Sequence, residues 1–250
     1  MTVREDLDEA GVQNLSQDFE GRDAEYIIKW TLERFGSRAS ICTSFQAEGM
    51  VILDIASRIE PGVRVFTIDT GRMPKETHEL IDRVRDRYGI RIDVHYPDFG
   101  ELTQFVSKHG ANPFYRSQSL RMLCCETRKV VPLNKALLGL DAWITGVRRS
   151  HTANRSGAGK VERDDAHGGI LKINPLADWT EDQVWEYIRV NDVPYNALYD
   201  QGFTSIGCAP CTRPTQPGED ARAGRWWWED DSVPKECGIH LLPQPRTTSS

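Results

Sequence analysis

Five of the six cysteines in this 250-residue chain sit in settings suited to chemistry: CCETRK (124–129), IGCAPCTRP (206–214) and KECGIH (235–240). The two sulfurs of a Cys-x-x-Cys reach one metal centre, and a distant second pair completes a four-sulfur site of the kind that holds zinc or an iron-sulfur cluster. Here Cys124 and Cys125 form the second pair, to be matched with Cys208 and Cys211. Adjacent residues strain to aim both sulfurs at one small ion, whereas a cluster spreads its ligands over several irons. A four-iron cluster is therefore favoured, with zinc left open. Two blander readings compete: core thiols beside a CAPC turn, or CAPC as a thioredoxin-like dithiol. The first leaves two tight pairs to coincidence. The second needs the motif at a helix start after an early strand, and this one lies late. Cys42, inside an apolar run, reads as a small buried residue.

Cys237 is left without a pair. Lys235 and His240 stand near it in a glycine-containing tail, and a nearby cation raises the thiolate fraction of a cysteine, although Glu236 opposes this. A mobile nucleophile is the chemistry this setting suits.

Anion-binding chemistry has its own candidates. Ser44-Phe45-Gln46-Ala47-Glu48-Gly49 follows an apolar run and opens an amphipathic one, the position where backbone N–H groups and the helix dipole favour phosphate or sulfate. Asp69-Thr70-Gly71-Arg72 and Gly146-Val147-Arg148-Arg149 end two further apolar runs and pair a glycine with charge. Arg222 and Arg225 in GEDARAGRWWWE lie one turn apart if that stretch is helical, and would then converge on one anion; the bland alternative is a solvated polar face. The three tryptophans after Arg225 read as packing residues. Lys129, four residues after Cys125, falls on the same face of a helix, between a cluster and an anionic substrate.

The elements that must position these groups follow from periodicity. ASICTS (39–44), VRVFTID (63–69), IRIDVHY in the 90s and DAWITG (141–146) read as buried strands. Ala47–Ile59, Pro74–Tyr88, Glu126–Leu138 and Thr180–Asn191 read as helices, with Pro74 at a first position and Thr180 as a cap. Strand-helix alternation predicts a doubly wound, mostly parallel α/β sheet, whose ligands bind beyond the carboxyl ends of the strands. The division expected is a polar, mobile segment over 1–23, a nucleotide-binding domain over 24–205 and a cysteine-containing segment with a flexible tail over 206–250.

Composition narrows the classes. Thirty-one Lys and Arg against 37 Asp and Glu, net charge −6, argue against a broad nucleic-acid-binding surface while allowing a local anion pocket. The N-terminus has no apolar segment of the secretory kind and no run approaches membrane-spanning length, so a cytoplasmic protein with no membrane partner is expected. Reduced thiols in that compartment make metal binding or catalysis the leading account of the cysteines. Oligomeric state is not legible, and a homo-oligomer stays open.

Together these segments resemble a known family, the assimilatory sulfonucleotide reductases, and specifically its cluster-containing adenylylsulfate reductases. The resemblance runs from about Ser40 to His240 through SFQAE, FTIDTGRMPKET, CCETRKVVPL, WITGVRR, CAPCTRP, GEDARAGRWWWE and KECGIH. It implies the adenine-nucleotide α-hydrolase fold, one 4Fe-4S cluster on Cys124, Cys125, Cys208 and Cys211, and Cys237 as the nucleophile. It also implies nucleotide contacts at Ser44, Ile68, Thr70 and Gly146, and phosphosulfate contacts at Lys129, Arg222, Arg225 and His240. The activity implied is reduction of adenylylsulfate to sulfite and AMP, with thioredoxin as reductant and an S-sulfocysteine intermediate, in sulfate assimilation and cysteine biosynthesis. SHTANRSGAG (150–159) departs from the family's pattern, closer to QSPTR.

Three rivals remain. Reductases of 3′-phosphoadenylylsulfate share the terminal cysteine motif but are expected to lack the two cysteine pairs. A zinc-containing ATP pyrophosphatase would carry an SGGxDS-type loop, whose glycines SFQAEG replaces with Phe and Gln. A non-catalytic zinc module leaves Cys237 and the paired arginines unexplained.

Overall fold

The computed structural model describes residues 8–152, 155–230 and 235. Six strands form one sheet: β1 (Ala39–Cys42), β2 (Val65–Ile68), β3 (Ile92–His95), β4 (Ala142–Ile144), β5 (Val161–Asp164) and β6 (Ile170–Ile173), in the order β3-β2-β1-β4-β6-β5. All neighbours are parallel except β5 and β6, which pair antiparallel at the edge. The doubly wound α/β expectation is borne out. The chain winds outward from β1 to β3 and returns to place β4 on the other side of β1, so the strand order reverses between β1 and β4. In such sheets the loops leaving the two strands diverge there and open a crevice.

Helices α1 (Glu9–Glu20), α2 (Ala24–Phe35), α3 (Ala47–Ile59), α4 (Lys75–Tyr88), α5 (Phe99–His109), α6 (Gln118–Cys125), α7 (Val131–Ala136) and α8 (Glu181–Val190) cover the sheet. The buried strands β4 and β6 expose almost nothing, as β strands covered on both faces require. The larger core includes Ile27, Ile41, Val51, Leu53, Leu80, Ile144 and Ile173; a second gathers Phe66, Leu133, Leu137 and Trp143. A third joins Phe105, Phe114 and Trp226 to Cys124, Cys125 and Cys211. No helix among the described residues is long and apolar enough to cross a membrane.

Four expectations are corrected. The mobile 1–23 segment contains α1, capped by the Asp8 side chain on Gly11 N and anchored by buried Val12 and Phe19. The helix expected over Glu126–Leu138 is instead a π turn over Glu126–Val130 followed by α7, which stops at Ala136, while α6 precedes it and ends at the cysteine pair. Pro132 lies in the first turn of α7 and has no N–H to continue an unbroken ladder; the wider π turn absorbs the mismatch. The four-residue spacing from Cys125 to Lys129 therefore crosses a π turn. Arg222 and Arg225 lie in a turn segment, not a helix. Pro74 is the cap of α4 and Lys75 its first residue. Thr180 caps α8 as expected, in a reciprocal box with Gln183.

Candidate active site

The crevice between β1 and β4 is a cleft of about 360 Å³. Ser44, Ile68, Thr70, Lys129, Gly146, Arg222 and Arg225 all line it, so every nominated substrate contact among the described residues meets in one cavity. Cys237 and His240 lie outside the described residues. Lys235 is described, and its carbonyl oxygen accepts from Arg222 Nε at 3.2 Å and Nη2 at 2.5 Å.

Each wall has a local cause. Gly146 ends β4 against the first turn of α3, where a Cβ would come 2.9 Å from that of Glu48. Gln46 ties the loop after β1 to the far wall: its Oε1 accepts from Ile206 N at 2.8 Å and its Nε2 donates to Ser44 Oγ at 3.1 Å. Arg225 is 4% exposed, with Nη1 3.3 Å from Ser205 Oγ and Ile206 O, and its guanidinium lies 4.7 Å over the Trp226 ring. Gly207 gives it room, since a Cβ there would collide with the guanidinium. The solvated-face reading does not fit Arg225.

Cys124, Cys125, Cys208 and Cys211 line a second, adjoining cavity, together with Arg72, Arg121, Arg128, Lys129, Arg225 and Trp226. Lys129, Arg225 and Cys208 belong to both cavities. The turn carrying Cys208 and Cys211 is held to the loop after β2 by Thr70 Oγ1, 3.2 Å from Cys208 Sγ, and by Ala209 N donating to Arg72 O, and to the following segment by Trp226 N donating to Cys211 O. Behind them a buried bidentate pair, Arg121 to Glu229 at 2.9 Å on both branches, fixes α6 to the segment after Trp226. No described cysteine is in a disulfide. Burial pushes the Cys124 thiol up, and burial with the neighbouring Cys208 pushes Cys211 to about 12.

The residues around this cavity suit a polyanionic cluster. Arg128 Nε, Arg225 Nε and Trp226 Nε1 are buried donors with no hydrogen-bond partner among the described residues, and unmatched buried donors of this kind are costly. Sulfide and thiolate sulfurs would supply acceptors and negative charge. A single zinc would need four sulfurs about 3.8 Å apart at ordinary Zn–S lengths. Among the described residues no group of three or more His, Cys, Asp and Glu side chains is arranged to hold a single metal ion.

Cys42 is half-buried, packs beside the second core and also lines the cleft, so the buried-residue expectation holds only for one side of it; burial pushes its thiol up to about 12.

Sequence reading placed Glu48 and Arg148 in candidate anion-binding strings but missed that they pair with each other and with His151 to form the cleft floor. Glu48, 8% exposed, receives Arg148 Nε at 2.8 Å and meets His151 Nε2 at 2.8 Å. Burial by itself would raise the Glu48 carboxyl, but the hydrogen bond and charge of His151 and the charge of Arg148 outweigh it and bring it down to about 2. His151 and Arg155, which also lines the cleft, belong to the segment that departs from the family pattern. The polar string after β4 was the available signal. Tyr199 and Trp185 arrive from distant elements and carried none.

A folded value below the ordinary 4.5 means that Glu48 stabilises the fold above that pH and loses the contribution as pH falls toward 2. Glu48→Gln is expected to cost on the order of 3 kcal/mol near neutral pH and to flatten the acid limb of stability. Urea unfolding at about pH 7 and about pH 3 measures both, and an unchanged pH slope in the variant would contradict the assignment.

Comparison with known proteins places this fold among the sulfonucleotide reductases. The phosphoadenosine phosphosulfate reductase domain model matches residues 38–214, and the chain belongs to that family. An adenosine 5′-phosphosulfate reductase of Allochromatium vinosum is 50% identical over 198 residues, 79% of this chain and 77% of the relative. One from Burkholderia cepacia is 47% identical over 205 residues, 82% and 81% of the two chains. The solved phosphoadenylyl-sulfate reductase of Candida auris superimposes with a TM-score of 0.72 at 30% identity, covering 83% of this chain and 98% of that one. The Candida glabrata FMN adenylyltransferase, at 15% identity and a TM-score of 0.55, shares the fold alone. The family resemblance drawn from the motifs is thus borne out, and with it an oxidoreductase acting on a sulfur group.

Proposed function

We propose that this protein reduces adenylylsulfate to sulfite and AMP, with thioredoxin as electron donor, in the sulfate-assimilation route to cysteine. The observation that carries this reading is the pairing of a nucleotide-sized cleft with an adjoining four-cysteine cavity through the shared Lys129 and Arg225.

Cys124, Cys125, Cys208 and Cys211 would hold one 4Fe-4S cluster, whose contribution when bound is negative charge beside Lys129 rather than electrons. The nucleotide lies across Ser44, Ile68, Thr70 and Gly146. Lys129, Arg222, Arg225 and His240 hold the phosphosulfate. The Cys237 thiolate attacks the sulfur; the S–O bond to AMP breaks, AMP leaves with the electron pair, and an S-sulfocysteine remains. A thioredoxin thiolate then attacks the Cys237 sulfur, sulfite leaves, and the second thioredoxin thiol resolves the mixed disulfide. Two thiols supply both electrons, so no step requires the cluster to change oxidation state.

Arg222 reaches the Lys235 carbonyl, two residues from Cys237, and lines only the nucleotide cleft. Arg222→Ala is expected to weaken nucleotide binding about tenfold to a hundredfold, the worth of charge-assisted hydrogen bonds, and to leave the cluster spectrum unchanged. Arg225 borders both cavities, so Arg225→Ala should weaken binding and perturb the spectrum together. Calorimetric titration with AMP and visible absorbance read the two effects; normal binding by both variants would return these arginines to a structural role.

Competition kinetics with adenylylsulfate and its 3′-phosphorylated form test the substrate. A kcat/KM favouring the 3′-phosphorylated nucleotide would overturn the reading in favour of the phosphoadenylylsulfate alternative.

A further inference from the structure

The first turn of α3 opens onto the cleft floor at the reversal of strand order, where helix N–H groups attract anions. This chain fills that seat with its own atoms. Ala47 N donates to the Tyr199 hydroxyl at 3.1 Å, and Phe45 N donates to Thr43 Oγ1 at 3.0 Å. Phe45 takes φ 56, a left-handed conformation that glycine adopts freely, and its fully buried ring anchors the loop in the core. The carboxylate of Glu48, in the same turn, takes up Arg148 and His151, two of the three basic side chains that the 148–155 segment brings to the cleft, the third being Arg155 beside His151.

We propose that Glu48 is an internal anion that occupies the phosphate seat of the cleft and excludes inorganic pyrophosphate and the phosphate chain of nucleoside triphosphates. A second anion entering beside Glu48 meets a like charge in a partly desolvated site and finds Ala47 N and Arg148 already engaged. At a few ångströms and protein-like screening this weakens its binding roughly a hundredfold or more. The substrate's anionic group is thereby directed to the opposite wall, where Lys129, Arg222 and Arg225 lie. That last clause rests on the nucleotide reading above; exclusion of pyrophosphate does not.

The test is titration calorimetry and thermal unfolding with inorganic pyrophosphate, which needs no sulfonucleotide and no thioredoxin. Wild-type protein should give no saturable binding at millimolar concentration and no rise in Tm. Glu48→Gln should bind pyrophosphate at least tenfold more tightly and regain Tm in its presence, because the anion replaces the lost carboxylate beside Arg148. Adding Arg148→Met to that variant should abolish the gain. Equal pyrophosphate affinity in wild type and Glu48→Gln, or a folded Glu48→Gln that gains none, overturns the proposal. If Glu48→Gln is too unstable to titrate, wild type decides: saturable pyrophosphate binding displaced by AMP overturns it, and its absence supports it. Failure to reduce adenylylsulfate would refute the proposed activity without touching these outcomes.

Discussion

Incubated with adenylylsulfate and no thioredoxin, the holoprotein is expected to release about one AMP per active site and to gain one SO3 group on the peptide containing Cys237. The stoichiometry follows from a covalent intermediate that stops when no second thiol is available. Cys237→Ser should bind AMP normally and do neither, with turnover lowered by on the order of a thousandfold or more, because a serine hydroxyl at neutral pH offers almost none of the nucleophilicity of a thiolate. Adding thioredoxin to the trapped wild-type adduct should release sulfite in one step. Peptide mass spectrometry and AMP quantification read the result. Full sulfite production by Cys237→Ser, or an adduct on Cys208 or Cys211 in cluster-intact protein, would refute the assignment.

Removal of a cluster ligand should be nearly as severe and should act on folding as well as chemistry. Anaerobically purified wild-type protein is expected to be brown, with iron and sulfide each close to four per chain and no stoichiometric zinc. Cys211→Ser should reduce iron content by about tenfold or more and lower Tm, since metal binding free energy is shared with folding where the unfolded chain has no preformed site. The structural reason is local. Cys211 belongs to the third core with Trp226 and Phe114, and its carbonyl accepts from Trp226 N. Loss of the cluster would leave the buried donors Arg128 Nε, Arg225 Nε and Trp226 Nε1 facing an empty, low-dielectric cavity. Stoichiometric zinc without iron in protein never exposed to air would overturn the cluster in favour of a single-ion site.

The chemistry-bearing residues were legible in the sequence because their identity is local. Two tight cysteine pairs, a lone cysteine beside basic residues, and glycine-plus-charge strings at the ends of apolar runs need no tertiary information to be noticed. The parallel strands were equally legible: β1, β2 and β4 are short apolar runs buried on both faces, and α3 was bounded correctly at Ala47–Ile59, an apolar run too long for a strand. The edge hairpin of β5 and β6 was not. VERD follows one buried apolar residue with three charged ones, a pattern that resembles loop until a partner strand pairs with it. Nor was α1, whose two buried anchors, Val12 and Phe19, are diluted among polar residues and acquire meaning only against the body of the fold.

Tertiary structure alone decided how the pieces meet. Sequence placed Lys129 on a continuous helix with Cys125; the backbone, faced with Pro132, opened a π turn, and packing still set Lys129 between the two cavities. Arg225 was read as one half of a helical pair, yet it is a buried side chain held over Trp226, because Gly207 leaves space that only a folded chain defines. Glu48, the turn carrying Arg148 and His151, and Tyr199 come from three separate places in the chain, and their convergence on the cleft floor is fixed by strand order. Electrostatics of that kind depends on distance and burial, and neither quantity exists before the chain has folded.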